Sequence, residues 1–277
     1  MIPRDYITEW RTNAPWVQDF QVEQDLVICR ALVNIFSHPL LRDALSFRGG
    51  TALYKLYLLP AARYSEDIDL VQVNAGIAGD VMGALREVLE PWLGRPQWKQ
   101  TAGRITFNYR FQSEDPTPIP LRLKVEINTR EHFTVYGSQS VPFSVESRWF
   151  RGECDITTYD LDELLGTKFR ALYQRRKGRD LFDMATALTQ RDVDPQRIIT
   201  AFSRYMEEDG HQITRAVFEE NLSAKLADHR FSSDIPPLLA ERRDWNITDA
   251  ADAIMQTLCP LLPGEPWKSG SRSRNKD

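Results

Sequence analysis

The 277-residue sequence predicts an α+β fold, with strands and helices mixed in the N-terminal half and helices alone in the C-terminal half. Three observations predict it. Residues 104–111 and 121–128 alternate apolar and polar side chains, as half-buried strands do. Residues 15–38 place Val22, Leu26, Cys29, Val33 and Phe36 at three- and four-residue steps, one face of a long helix. After Asp160 the period of two disappears and only helical spacing remains.

Taken in order, the helix at 15–38 is followed by a short strand or turn at 44–48 that runs into Gly49-Gly50. A helix is expected over 51–59, stopped near Pro60, which cannot continue it. Residues 67–73 read as a strand and 79–93 as a helix. The alternating pair at 104–111 and 121–128 is joined by a segment rich in Pro, Asp and Ser, as a hairpin loop should be. Weaker strands are expected at 141–145 and 156–159. Asp160 and Glu163 have the spacing of a capping box at the head of a helix running to about Lys177, with Gly178 as its end. Asp180 and Asp183 are expected to cap the next helix, and Asp194-Pro195 opens a third. Further amphipathic stretches lie near 214–228 and 248–259. No internal repeat is visible. The expected organisation is an α/β domain over 1–159, a helical domain over 160–267 and a disordered tail, rich in Ser, Arg and Lys, over 268–277.

Composition sets outer limits. Hydrophobic residues make up 42% and charged residues 27%, ordinary values for a globular chain. A net charge of −4 excludes a general basic coat, so nucleic-acid contact must use local patches. Cys29, Cys154 and Cys259 are odd in number and far apart, which fits free thiols in a reducing compartment. No apolar run approaches membrane-spanning length, and the protein is expected to be soluble and cytoplasmic. The four histidines are scattered, and the tryptophans, Trp10 and Trp16 among them, read as core residues. No Walker lysine motif, Gly-x-Ser-x-Gly or Cys-x-x-Cys occurs.

The informative segment is 47–70. Gly49-Gly50-Thr51 opens a helix, and Asp67-Ile68-Asp69 follows on an apolar strand. Side chains alternate faces along a strand, so Asp67 and Asp69 share one. Two carboxylates that close repel each other unless a cation joins them, and all-oxygen ligation suits Mg²⁺. Gly49 and Gly50 let backbone approach phosphate oxygens, and N–H groups at a helix start favour an anion. Arg63 and Ser65 flank the aspartates closely enough to touch phosphates, while Arg48 reads as a salt-bridge partner of the core. Metal-assisted nucleotidyl transfer also calls for a third carboxylate. Glu126, on the polar face of the second alternating strand beside Lys124, is the candidate, with Glu131 as the alternative. Lys168 can reach a triphosphate or lie along its helix. Lys168, Arg170, Arg175, Arg176, Lys177 and Arg179 occur without an intervening acid, which suggests an anion-facing surface. Of the two aspartates that follow, Asp180 is the expected functional one and Asp183 the dipole complement.

Together, Gly49-Gly50-Thr51-Ala52-Leu53, Arg63-Tyr64-Ser65-Glu66-Asp67-Ile68-Asp69 and the block from Lys168 to Asp183 resemble the AbiEii/AbiGii toxin family. These are nucleotidyltransferase-like toxins of toxin–antitoxin and abortive-infection systems. The resemblance implies a polymerase-β-like nucleotidyltransferase core joined to a helical domain. It matches Gly49, Gly50, Asp67 and Asp69 to the first motif, Lys168 to an essential lysine, and Asp180 or Asp183 to a following aspartate. It further implies a nucleoside triphosphate and Mg²⁺, a cognate antitoxin, and RNA, tRNA first, as acceptor of a nucleotide at its 3′ end. Gly-Gly-Thr stands here where the wider superfamily has Gly-Ser, so triphosphate contact leans on backbone N–H and the Thr51 hydroxyl. The alternatives are the same fold acting on a protein or small-molecule hydroxyl, and a non-catalytic module that binds RNA or a partner.

Overall fold

The structure, a computed structural model, describes residues 2–240 and 245–268. The chain opens with α1 (Arg4–Trp10), α2 (Asp19–Ser37) and α3 (Pro39–Ala44), then β1 (Leu45–Arg48). A helical run follows, α4 (Gly49–Ala52) continued by a wider turn over Leu53–Tyr57. Next come β2 (Asp67–Gln72), α5 (Gly79–Leu93), β3 (Gln97–Thr101), β4 (Arg104–Gln112), β5 (Pro120–Asn128), β6 (Ser138–Glu146) and β7 (Arg151–Tyr159). The helices after the sheet are α6 (Leu161–Gln174), α7 (Gly178–Gln190), α8 (Pro195–Glu208), α9 (Arg215–Leu226), α10 (His229–Ser232) and α11 (Ile247–Thr257). Two compact units result, within the described residues 2–161 with 238–240, and 162–237 with 245–268.

The first unit is built on a seven-stranded mixed sheet in the order β3-β4-β5-β2-β1-β7-β6. One face is apolar because alternate residues make it so: Ile68 and Leu70 from β2, Ile105, Phe107 and Tyr109 from β4, and Leu123, Val125 and Ile127 from β5 are all buried. Helix α2 closes over this face with Val22, Leu26, Cys29, Val33 and Phe36, and α5 adds Val81, Leu85 and Leu89. Fully burying each such aliphatic side chain is worth roughly 1.5–3 kcal/mol. The opposite face, left to the polar alternates, carries the candidate site.

In the second unit the core is aromatic. Phe169 of α6 stacks on Phe218 of α9 with ring centroids 4.1 Å apart, and Phe202 of α8 meets Phe169 edge-on at 4.9 Å. Asp194 caps α8, accepting from the backbone N–H of Gln196 and Arg197, with Pro195 in the first turn as expected.

Several local expectations need correction. Gly178 does not end α6; it begins α7, and a Cβ there would lie 2.2 Å from the Phe231 carbonyl oxygen. Close backbone approach, not a left-handed turn, is what requires glycine. Asp180 and Asp183 do not cap α7. Its N-cap is Lys177, and both aspartates turn inward with no exposed surface. The strands expected at 141–145 and 156–159 extend to nine residues each, paired in register from Ser138↔Tyr159 to Glu146↔Arg151. The strand β3 and helix α1 were not anticipated, β3 because all five of its side chains are exposed and leave no alternation to read. Trp10 and Trp16 are core residues, but Trp98 on β3 is 52% exposed. The tail expected to be disordered lies, from residue 269 onward, outside the described residues.

Candidate active site

The geometry starts with register. In the parallel β2–β5 pair Asp67 lies opposite Lys124 and Asp69 opposite Glu126. Asp69 also faces Arg48 across the antiparallel β1–β2 pair. Period two therefore brings Asp67, Asp69 and Glu126 to one face of adjacent strands, the three carboxylates the sequence pointed to. The Lys124 ammonium lies 2.9 Å from Asp67 Oδ2 and 3.6 Å from Glu126 Oε2, and the Arg104 guanidinium lies 3.2 Å from Glu126 Oε1. Sequence reasoning noticed Lys124 only as a neighbour. Its position two residues before Glu126 on the same strand was the available signal.

The turn before α4 fits against this face. Gly49 adopts φ +83°, and a Cβ on it would lie 2.3 Å from Asp69 Oδ2. Glycine is thus required twice, for the backbone angle and for the approach of the carboxylate. Thr51 is buried, and its hydroxyl donates to the Asp67 carbonyl oxygen while accepting from the Ser65 hydroxyl at 2.7 Å. These two hydroxyls tie the glycine turn to the start of β2. The Arg63 side chain is 2% exposed, donates to the Tyr64 carbonyl oxygen at 2.9 Å and lies over the Tyr54 ring at 5.0 Å. It is a buried cation packed on an aromatic ring. Arg48 pairs with Glu131, as its reading as a salt-bridge residue implies.

Electrostatics follow from the crowding. Burial raises the Asp69 carboxyl above its ordinary range, and the Asp67 and Glu126 carboxylates add to that, against the opposing pull of Lys124 and Arg48. Burial pulls Lys124 down, but hydrogen bonding and attraction from Asp67, with Asp69 and Glu126 behind it, outweigh burial and hold the ammonium charged. Asp67 Oδ1 is buried without a hydrogen-bond partner. A carboxylate oxygen left so is costly unless something else meets it. The donor chemistry fits a hard divalent cation held by Asp67 and Asp69. Among the described residues no three His, Cys, Asp or Glu side chains form a closed metal cage. Two carboxylates, completed by water and substrate phosphates, would be a usual donor set for Mg²⁺.

In the helical unit Lys168 of α6 is almost fully buried, its ammonium 3.1 Å from Asp180 Oδ1 and 3.0 Å from Asp183 Oδ2. Arg175 grips Asp180 with two bonds, Nε to Oδ2 at 2.6 Å and Nη2 to Oδ1 at 2.7 Å. Burial pushes Asp180 up, but Lys168 and Arg175 outweigh it and hold the carboxyl below the usual range. The anion-facing surface expected from the basic run does not form. Arg170 lies 3.4 Å from Asp209, Arg176 3.2 Å from Asp228, and Arg179 2.9 Å from Asp234. Lys177 lies 3.8 Å from the same Asp234. The run lacks acids in sequence because they arrive from later helices and loops.

The seven-stranded mixed sheet, followed in the chain by a helical unit, is a nucleotidyltransferase-type fold. The same overall structure is seen in MenT4, a nucleotidyltransferase toxin from Mycobacterium tuberculosis H37Rv, with a TM-score of 0.68 and 18% identity over 94% of this chain and 90% of that one. It is seen also in JHP933 from Helicobacter pylori, with a TM-score of 0.55 and 17% identity over 88% of this chain and 92% of that one. No curated protein sequence matches the chain. The sequence model of the family described as "Nucleotidyl transferase AbiEii toxin, Type IV TA system" matches residues 30–256. The chain belongs to the AbiEii family of nucleotidyltransferase toxins.

Proposed function

We propose that the chain transfers a nucleoside monophosphate from a nucleoside triphosphate to the terminal hydroxyl of an RNA, tRNA first, in a Mg²⁺-dependent reaction. The observation that carries the chemistry is the register that sets Glu126 beside Asp69, with Gly49 pressed against the Asp69 carboxylate. Asp67 and Asp69 would hold Mg²⁺, which when bound supplies charge neutralisation to the triphosphate. Gly49 and Gly50 offer the closest backbone for its phosphates. Thr51 and Ser65 keep that turn in place, and Lys124 balances the carboxylates.

Glu126 accepts the proton of the attacking hydroxyl, whose oxygen forms a bond to the α-phosphorus as the bond to the β-phosphate bridging oxygen breaks and pyrophosphate leaves. Most of the rate enhancement comes from positioning and electrostatics. Lys168 and Asp180 enter as required residues through the family resemblance, supported by their mutual burial. The acceptor class rests on the same resemblance. A cognate antitoxin belongs with a toxin of this family, and no described helix is long and apolar enough to cross a membrane. We place the activity in the cytoplasm, where triphosphates and tRNA meet.

The test is direct. Purified protein is incubated with each labelled triphosphate, Mg²⁺ and total RNA, and label is followed on a gel. Label should enter an RNA band with the wild type and fall about 100-fold or more with Asp67→Asn. Equal labelling by a folded Asp67→Asn/Asp69→Asn protein would sink the reading.

A further inference from the structure

The carboxylate face continues across β5, β4 and β3 as a surface of different charge. Antiparallel register sets Asn108 opposite Lys124, Thr106 opposite Glu126, and Arg110 directly opposite Arg122. Strand β3 adds Lys99 opposite Thr106. All of these share the face of Asp67 and Asp69, because Lys124 and Glu126 pair with those residues across β2.

Arg104 and Lys124 have acidic partners at the Glu126 end. Lys99, Arg110 and Arg122 do not: among the described residues their side chains form no ion pair or hydrogen bond. That contrasts with the basic run of the helical unit, where each cation has an acid. Like charges directly opposite on neighbouring strands are destabilising, so an unpartnered Arg110–Arg122 pair carries a cost that an anion between them would remove. The two arginines also border a hollow of about 510 Å³ at this end of the β4–β5 pair, lined in addition by Phe111, Gln112, Pro120 and Leu121.

We infer that this strand face is the track for the phosphate backbone of the RNA acceptor, with Arg110 and Arg122 gripping a phosphate upstream of the reacting end. The inference rests on the acceptor reading above and adds where the strand runs. Continuity with the carboxylates favours nucleic acid over an acidic protein. An RNA whose terminal hydroxyl reaches Glu126 must leave along some surface, and this one begins there. From Glu126 to Arg122 is four strand residues, about 13 Å, the axial rise of about four stacked nucleotides. Guanidinium forks suit phosphate, and the intervening Thr106 and Asn108 are neutral donors that tolerate any base.

Anisotropy of a fluorescent single-stranded RNA of about twelve nucleotides, titrated with the full chain at several salt concentrations, tests this. Arg110→Gln/Arg122→Gln should weaken binding about tenfold and flatten the slope of log affinity against log salt by about 1.4, two single-strand contacts. Arg110→Lys/Arg122→Lys should keep the slope, and Arg110→Gln alone should lose half as much should the double variant fold poorly. Unchanged affinity and slope in folded Gln variants, with wild-type RNA labelling intact, overturns the track and leaves the acceptor reading standing. Absence of both RNA binding and RNA labelling in the wild type overturns the two together. Polyglutamate whose binding depends on these arginines, when RNA binding does not, assigns the face to an acidic protein and also overturns the track.

Discussion

Asp69 shows how a functional residue can work against its own fold. Its carboxyl is raised by burial and by two neighbouring carboxylates, so in metal-free protein the charged form is the unfavourable one. A folded-state value above the unfolded value means stability present at low pH and lost as pH rises through the raised value. Asp69→Asn removes the charge and keeps the shape. It should hold or raise the melting temperature measured in chelator at neutral pH, while nucleotide transfer falls about 100-fold or more. A drop in melting temperature would mean that Asp69 is a structural ion-pair member and not a residue strained for function.

Gly49→Ala addresses the same contact from the other side. The added Cβ collides with Asp69 Oδ2 at a φ of +83°, so this change should cost both stability and transfer. The pair Asp67–Asp69 with Gly49 was legible in the sequence because its parts are close in the chain and period two is a local rule. The contacts of Arg63 and the Thr51 hydroxyl were not legible, because their partners, the Tyr54 ring and the Asp67 carbonyl, are not fixed by spacing.

Among the elements, the long strands β4 and β5 were readable because one face is fully buried, and β3 was not because neither face is. Helix α2 was readable from its apolar stripe, yet its polar residues do more than face solvent. Glu23 is 1% exposed and accepts the backbone N–H of Glu114 at 2.9 Å, pinning the loop between β4 and β5. Burial pushes its carboxyl up to about 7, with Asp115 adding in the same direction, and its Oε1 has no hydrogen-bond partner. The raised value means stability that is full below the unfolded value near 4.3 and is lost as pH rises through about 7. Glu23→Gln keeps the acceptor and cannot ionise. Its melting temperature should match the wild type near pH 4 and exceed it increasingly up to pH 8. A difference that stays constant across that range would show that Glu23 ionisation is not what costs stability.

At the scale of the whole molecule, the two units hold charged clusters of opposite character. The strand face of the first leaves charge unsatisfied: a buried Asp67 oxygen without a partner and two arginines opposed. The second unit neutralises itself, with Lys168, Arg175, Asp180 and Asp183 closing on one another. The basic run looked available in the sequence because its acids, Asp209, Asp228 and Asp234, come from elements far along the chain. Pairing at that range is a tertiary fact that no local pattern announces.

The difference predicts how stability and activity separate. Removing one member of a buried ion pair leaves the other uncompensated, at a cost of about 3–5 kcal/mol. Asp180→Ala should therefore lower the unfolding free energy by about that much, and Asp180→Asn should recover only part, since an amide cannot balance both Lys168 and Arg175. The Asp180 carboxyl is held low in the folded state, so its contribution is present above the unfolded value near 3.9 and is lost as pH falls further. The penalty of Asp180→Asn in chemical denaturation should accordingly be full at pH 7 and shrink on acidification below about pH 4. Losing Lys168 as well, in Lys168→Met/Asp180→Leu, should cost less than the sum of the single changes. Additive losses in that double-mutant cycle would show that Lys168 and Asp180 act independently, and their mutual burial would then not explain the stability of the helical unit.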